Sequence, residues 1–283
     1  VVLFGFGRIG RLVARELIAQ EGSGQQLRLR AIVARGSDAA SLEKRASLLR
    51  IDSVHGKFPG TVAADTATMS LIVDGRPIAI IDAKNPEDVD YTSYGINDAL
   101  LIDNTGAFRD KAALSRHLTA KGISKVLLTA PGKGIPNIVH GVNQALFSPK
   151  EVDIFSAASC TTNAIVPVLK VINDKLGIER GHIETVHAYT NDQNLVDNMH
   201  SKYRRGRAAA MNMVITETGA GEAVEKCIPG LGPKLTSNAI RVPVPDGSLA
   251  ILSLTVQKQT TVAEVNALLR DAALHGDLVE QIN

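Results

Sequence analysis

Residues 158–163 read Ala-Ser-Cys-Thr-Thr-Asn. Cys160, one of two cysteines in the chain, stands between two hydroxyl residues, Ser159 and Thr161. A strand-like run at 152–156 precedes it, and an apolar helical run at 164–176 follows. The thiol is therefore expected at a strand-to-helix turn, where helix N-terminal N–H groups and the macrodipole lower its pKa. A thiolate in that position attacks carbonyl carbon, and the same N–H groups hold an oxyanion or a phosphate. The competing reading is a buried structural cysteine, the commoner fate of a lone thiol. The hydroxyls, the asparagine and the turn position favour the nucleophile.

Such a residue needs a scaffold, and the composition bounds it. A chain of 283 residues suggests one large domain or two smaller ones. Hydrophobic residues make up 45% and charged residues 21%, the balance of an ordinary globular protein with enough apolar material for a sizeable core. With 31 basic against 29 acidic residues, the charge gives no reason to expect nucleic acid or membrane as the main partner. Two widely separated cysteines are not a disulfide framework, so a reducing, cytoplasmic setting is expected. No apolar run approaches the ~20 residues of a membrane span. The chain opens on a strand, Val-Val-Leu-Phe-Gly, without a basic leader or an initiator Met. It is expected to begin inside a longer polypeptide.

The first half alternates between strand-like and helix-like segments. A short apolar strand at 1–4 leads to 8–20, where Ile9, Leu12, Val13, Leu17 and Ile18 recur at helical spacing. A strand is expected at 27–34. Runs at 69–73 and 77–81 flank Asp74-Gly75, a hairpin signal. Segments 100–103, 111–120 and 125–129 read strand, helix, strand. This alternation argues for a doubly wound parallel sheet with helices on both faces. After about residue 150 the pattern changes. A helix at 164–176 ends near Gly177, and long alternating runs at 183–189, 237–244 and 248–259 suit an antiparallel or mixed sheet. Residues 261–273 read as a helix with Thr261 and Glu264 forming a capping box. The expected organisation is an α/β domain over 1–158 followed by an α+β catalytic domain over 159–283, with the thiol at the join.

Gly5-Phe6-Gly7-Arg8-Ile9-Gly10 is G-x-G-x-x-G, directly after a strand and opening a helix. In that context it marks a Rossmann-type dinucleotide site. Gly5 makes the tight turn, Gly7 admits a pyrophosphate, and Gly10 allows close helix–strand packing. An acid at the end of the second strand would accept from the ribose 2′-OH of NAD. Here the tip is Arg35, and the nearest acid is Asp38. Two readings stand: Arg35 with Ser37 meets a 2′-phosphate, which favours NADP or dual use, or Arg35 is solvated and Asp38 reaches back to the ribose.

With this loop and Ala-Ser-Cys-Thr-Thr-Asn in one chain, the sequence resembles phosphorylating glyceraldehyde-3-phosphate dehydrogenases along nearly its whole length. Further matching blocks are Asp52-Ser53-Val54-His55-Gly56, Asn104-Thr105-Gly106, Leu128-Thr129-Ala130-Pro131, Thr185-Val186-His187, Arg204-Arg205-Gly206-Arg207, Thr218-Gly219-Ala220 and Arg241-Val242-Pro243. The resemblance implies that Cys160 is the nucleophile and His187 its base. It implies one phosphate site from Thr190, Asp192 and Arg241, for the C3 phosphate of glyceraldehyde 3-phosphate. A second, for inorganic phosphate, would comprise Ser159, Thr161, Thr218, Gly219 and an arginine, Arg205 rather than Arg204. Hydroxyls, backbone N–H groups and guanidinium forks suit phosphate oxygens. The cofactor, NAD or NADP, would be held by Gly5, Gly7, Arg8, Ile9, Gly10, Arg35, Thr105, Gly106 and Thr129. No metal is implied. The basic loop around Arg205 is expected against a neighbouring subunit in a homotetramer. The remaining histidines (His55, His117, His140, His182, His200, His275) and Cys227 read as structural or solvated.

The chain also departs from that family's pattern. Phe4 stands where many relatives have asparagine, Arg35 replaces the usual strand-end acid, and Asn198-Met199 replaces a Leu-Pro pair of many NAD-specific members. The chain stops at Asn283, before the family's final sheet segment and long return helix, and is expected to be a fragment. Erythrose-4-phosphate dehydrogenase, which shares the cysteine block, is the nearest alternative activity. Aspartate-semialdehyde dehydrogenase lacks Cys-Thr-Thr-Asn and ranks below it. A non-catalytic nucleotide- or RNA-binding relative is the alternative of a different class.

Overall fold

A computed structural model describes residues 1–21, 27–36 and 38–283. The chain forms two compact units, one of residues 1–137 with 148–157, the other of 138–147 with 158–283.

The first unit contains β1 (Val2–Phe4), α1 (Arg8–Gln20), β2 (Ala31–Val33), α2 (Ala39–Arg50), β3 (Ile51–Asp52), β4 (Gly56–Lys57), β5 (Val62–Asp65), β6 (Ser70–Val73), β7 (Arg76–Ile81), β8 (Ala99–Asp103), α3 (Lys111–Ser115), β9 (Ile123–Leu128) and β10 (Ile154–Ser156). Strands β3 and β4 form a small ribbon of their own, and the rest make one sheet in the order β10-β9-β8-β1-β2-β7-β6-β5. From β10 to β7 every neighbour is parallel, while β7, β6 and β5 pair antiparallel. Asp74 and Gly75 both have positive φ (47° and 77°), the two-residue turn that matches strand twist. Strand residues alternate between two apolar layers. Val2, Phe4, Val33 and Leu101 pack on one face with Tyr91 and Leu114, and Leu3, Ile32 and Ile102 on the other with Leu42 and Leu49. Both faces of the central strands are thus covered, as a parallel sheet requires.

The second unit contains α4 (Cys160–Leu176), β11 (Ile178–Ala188), β12 (Val214–Thr216), α5 (Ala220–Cys227), β13 (Leu235–Val242), β14 (Ser248–Val256) and α6 (Val262–Leu274). Its sheet runs β12-β13-β11-β14. Ile165, Leu169, Val224 and Cys227 of α4 and α5 pack with Ile178, Ile183 and Leu235 of the sheet.

Several elements differ from the sequence reading. The strand expected at 27–34 is confined to Ala31–Val33, where both neighbours pair with it. The helix expected at 111–120 is α3 followed by a tighter 3₁₀ turn, Arg116–Thr119. Helix α4 begins at Cys160 itself, one turn earlier than its apolar periodicity suggested, because Ser159 caps it. Strands β11 and β13 are parallel, so of the two forms expected for the second sheet, antiparallel or mixed, it takes the mixed one. Thr261 does cap α6, but Glu264 accepts from the Thr260 hydroxyl, so the reciprocal half of the box is replaced.

The glycine loop separates packing from open space. A Cβ on Gly10 would lie 2.4 Å from the Gly5 carbonyl oxygen, whereas one on Gly7 would meet nothing within 4 Å. Gly10→Ala is accordingly expected to destabilise the protein by about 1–3 kcal/mol, as overpacking against backbone does. Gly7→Ala should leave the denaturant midpoint close to that of the parent. Equal midpoints for the two variants would contradict this division.

Candidate active site

The turn before α4 is built from the residues around the thiol. Ala158 lies in the left-handed region (φ 59°) and turns the chain from β10 into the helix. Ser159 is the N-cap: its Oγ accepts from the Thr162 N–H at 3.0 Å and lies 2.6 Å from Thr162 Oγ1. Asn163 Nδ2 donates to the Ser159 carbonyl at 2.9 Å. Cys160 is the first helical residue and is exposed.

Cys160 Sγ lies 3.4 Å from His187 Nε2. His187 sits near the end of β11, paired in register with Arg241 of β13. Its Nδ1 is 2.7 Å from the Ala188 carbonyl, which also accepts from Arg241 Nη1 at 2.9 Å. A carbonyl only accepts, so Nδ1 carries the proton and Nε2 is left to exchange one with the thiol. Arg241 Nη1 also lies 2.9 Å from Nδ1. With Nδ1 protonated, that approach opposes the ring's charge, and the carbonyl between the two donors screens it. The hydrogen bond to His187 holds the Cys160 thiol below its ordinary pKa against the opposing effect of burial, with help from the Thr161 N–H and hydroxyl. The same contact raises His187, although burial and Arg241 pull it down. Each charged form stabilises the other. Cys227, by contrast, is buried at the end of α5, and burial pushes its thiol up to about 11.

Beside the pair lies a cationic cluster. Arg205 Nε and Nη2 donate to Thr216 Oγ1 at 3.1 and 2.8 Å, and its Nη1 pairs with the Asp192 carboxylate. Burial pushes Asp192 up, but Arg205, His200 and Arg241 together hold it below its usual value. Burial lowers Arg241, and the nearby Arg205 charge adds to the effect. Asp192 and Arg205, expected in separate phosphate sets, are therefore joined. Thr216, which anchors Arg205, was not singled out in the sequence, and His200, whose Nε2 is 3.9 Å from Asp192 Oδ1, was read there only as structural or solvated. A hydroxyl on an edge strand gives no local signal of its partner. Thr190 is exposed, Thr218 is half-buried, and Gly219 caps α5 without a side-chain hydrogen bond.

The nucleotide-loop residues gather in the first unit at the C-terminal ends of β1, β2, β8 and β9, where the strand order reverses between β1 and β8. Gly5 (φ 98°) passes so close to Thr105 that a Cβ would lie 2.9 Å from its methyl group. Gly7 caps α1 without a side chain, leaving the helix amides for a ligand. Arg8 is half-buried and Ile9 exposed. Thr129 donates from both N–H and hydroxyl to the Asp103 carbonyl at 3.1 and 3.0 Å. Gly106 (φ 69°) accepts from Arg109 Nε through its carbonyl. Arg35 is exposed, and its guanidinium has no partner among the described residues. Ser37 lies outside the described residues. The Asp38 carboxylate caps α2, accepting from the Ser41 N–H at 2.7 Å and its hydroxyl at 3.1 Å.

Of the other histidines, His117 is buried against Asp103, His182 bonds Thr236 and Asn238, and His55, His140 and His275 are exposed. Among the described residues no group of three or more His, Cys, Asp or Glu side chains is placed to hold a metal ion, and no helix is long and apolar enough to cross a membrane.

Comparison with known proteins gives a consistent result. Residues 1–111 match the family described as glyceraldehyde 3-phosphate dehydrogenase, NAD binding domain, and residues 159–282 match its C-terminal domain. The chain is 57% identical over its full length to a glyceraldehyde-3-phosphate dehydrogenase-like protein of Pseudomonas aeruginosa strain UCBPP-PA14, of which it spans 61%. It is 41% identical, over 98% of its length, to glyceraldehyde-3-phosphate dehydrogenase of Zymomonas mobilis, spanning 80% of that protein. It is 42% identical, over 96% of its length, to the chloroplastic glyceraldehyde-3-phosphate dehydrogenase A of Zea mays, spanning 66% of it. With both domains matched in order and a cysteine–histidine pair in the second, the chain belongs to the glyceraldehyde-3-phosphate dehydrogenase family.

Proposed function

We propose that this chain carries out NAD(P)-dependent oxidative phosphorylation of glyceraldehyde 3-phosphate to 1,3-bisphosphoglycerate through a thioester on Cys160. The observation that carries the reading is the 3.4 Å contact between Cys160 Sγ and His187 Nε2, with the imidazole oriented by the Ala188 carbonyl. In the first step the Cys160 thiolate forms a C–S bond to the aldehyde carbon, and the carbonyl oxygen takes a proton from the His187 imidazolium. The Cys160 N–H and His187 are the donors to the developing oxyanion. His187 Nε2 then takes back the hydroxyl proton as the C–H hydride leaves, so the hemithioacetal becomes a thioester. A bound nicotinamide cofactor supplies the hydride acceptor. An oxygen of inorganic phosphate attacks the thioester carbonyl and its proton passes to solvent. The C–S bond breaks and the thiolate returns to its imidazolium partner.

Arg241 with Thr190 and Asp192 is proposed for the substrate's own phosphate, and Arg205 with Ser159, Thr161, Thr218 and Gly219 for the attacking one. The glycine cradle fits a dinucleotide, with Gly7 open and Gly10 closed against Gly5. Arg35 is exposed and its guanidinium has no partner among the described residues, while Asp38 is engaged in a helix cap, which supports use of NADP beside NAD. Leu195, Met199, Tyr203 and Met211, between 81 and 91% exposed on one segment, support burial of that segment in a homotetramer. Neither cysteine forms a disulfide among the described residues, which suits a reducing cytoplasm.

In an assay with glyceraldehyde 3-phosphate, reduction of NAD or NADP is expected to require inorganic phosphate and to vanish in Cys160→Ser. Activity retained by that variant would sink the thioester mechanism. In the same assay, Arg35→Ala should weaken use of NADP but not NAD, and an equal effect on both would remove Arg35 from the 2′-phosphate.

Iodoacetamide should alkylate one thiol of the folded protein, Cys160, with a pH midpoint below the ordinary thiol value of about 8.5. The sign follows from the lowered Cys160 pKa: the reactive thiolate persists as pH falls through the range where a free thiol is already protonated. His187→Asn should raise that midpoint and slow alkylation at pH 7, roughly tenfold for a midpoint one pH unit higher. An unmoved midpoint would show that His187 does not activate the thiol.

A further inference from the structure

His117 is fully buried in the 3₁₀ turn after α3, and its Nε2 lies 2.9 Å from Oδ2 of Asp103, which is also fully buried. Asp103 ends β8. Its other oxygen, Oδ1, accepts from the Thr105 N–H at 2.8 Å and the Thr105 hydroxyl at 2.7 Å. The Thr105 hydroxyl in turn accepts from the Ala107 N–H at 3.1 Å. The turn that carries Thr105 and Gly106 is thus held by one carboxylate, and that carboxylate is held from below by His117.

The same imidazole also touches the other wall of the nucleotide cradle. Phe4, the residue before Gly5, packs edge-on against the His117 ring with centroids 4.7 Å apart. Phe108 packs on it at 5.5 Å and on Phe4 at 6.2 Å. His117 Nδ1 has no partner among the described residues, so the ring's polar contact is with Asp103 alone. A core position that only needed filling would be satisfied by an apolar side chain, without leaving a buried nitrogen unpaired.

We propose that His117 is a positioning residue for the dinucleotide. Through Asp103 it fixes the Thr105 turn, and through Phe4 it fixes the Gly5 turn, so one buried side chain sets the spacing of the two loops that receive the cofactor. It touches neither cofactor nor substrate. Phe4 serves here as the packing half of this arrangement.

The proposal rests on the cofactor reading above, and the test separates the two. The dissociation constants of NAD and NADP are measured by titration calorimetry for the parent, His117→Gln, His117→Leu and Asp103→Asn proteins, with the thermal midpoint of each ligand-free protein and the rate of Cys160 alkylation alongside. His117→Leu and Asp103→Asn should each weaken cofactor binding about tenfold, the scale of one hydrogen bond. His117→Gln, which keeps a donor near the Nε2 position, should recover most of it. Alkylation of Cys160 should be unchanged throughout. A folded His117→Leu protein with parental affinity and a lowered thermal midpoint would make His117 a stability residue and overturn the proposal. Should His117→Leu not fold, the near-isosteric Asp103→Asn decides, and parental affinity in it overturns the proposal equally. A parent that binds neither NAD nor NADP would overturn the cofactor reading and this one with it.

Discussion

The thiol–imidazole contact depends on a match of lengths. Helix α4 has 17 residues and so spans about 25 Å. Gly177, at φ 73°, reverses the chain, and β11 starts at the next residue. From Ile178 to His187 the strand travels roughly 30 Å back along the helix. The first residue of the helix and the tenth residue of the strand therefore meet, although 27 positions separate them in the chain. The apolar cluster of Ile165, Leu169, Ile178 and Ile183 fixes that overlay, and Gln257 and Lys258 tie down the turn through the Gly177 and Leu176 carbonyls. Adding or removing one residue in either element would rotate the thiol by about 100° around the helix or turn the histidine to the other face of the sheet.

The helix starts divide into two kinds. Helices α2, α3, α4 and α6 each donate an amide to the cap side chain of Asp38, Asp110, Ser159 or Thr261, whereas α1 and α5 start after Gly7 and Gly219 without such a cap. A capped start completes its own hydrogen bonding and contributes to stability. An uncapped start keeps donors in reserve, although in α5 the Gly221 amide already donates to Ser237 Oγ at 3.4 Å. Both uncapped starts belong to sequence blocks assigned to anionic ligands, the dinucleotide and the inorganic phosphate. In α4 the two uses coexist, because Ser159 takes the Thr162 amide and leaves the first amides beside the sulfur.

Much of this was legible in the sequence because it is local. The glycine loop, the Asp74-Gly75 hairpin and the cysteine turn are each specified within six residues. The weakly amphipathic α2, the short α5 and strand β12 were not read, since their places are set by tertiary neighbours: Leu71 and Ile80 for α2, Leu231 and Leu235 for α5, and β13 for β12. The parallel pairing of β11 with β13 was hidden for another reason: a half-buried strand alternates in the same way whichever direction its neighbour runs. The pairing of Asp103 with His117, like that of Arg205 with Thr216 and Asp192, joins separate elements, and no spacing rule within one element reveals it.

Arg205 already holds a carboxylate. A phosphate that came to this guanidinium would compete with Asp192 rather than meet a bare cation. Binding then depends on a difference between two anions, so a doubly charged oxyanion can compete where chloride or a carboxylate gains little. The resident acid also offsets part of the repulsion between Arg205 and Arg241. Asp192 is thus a built-in counter-ion to Arg205.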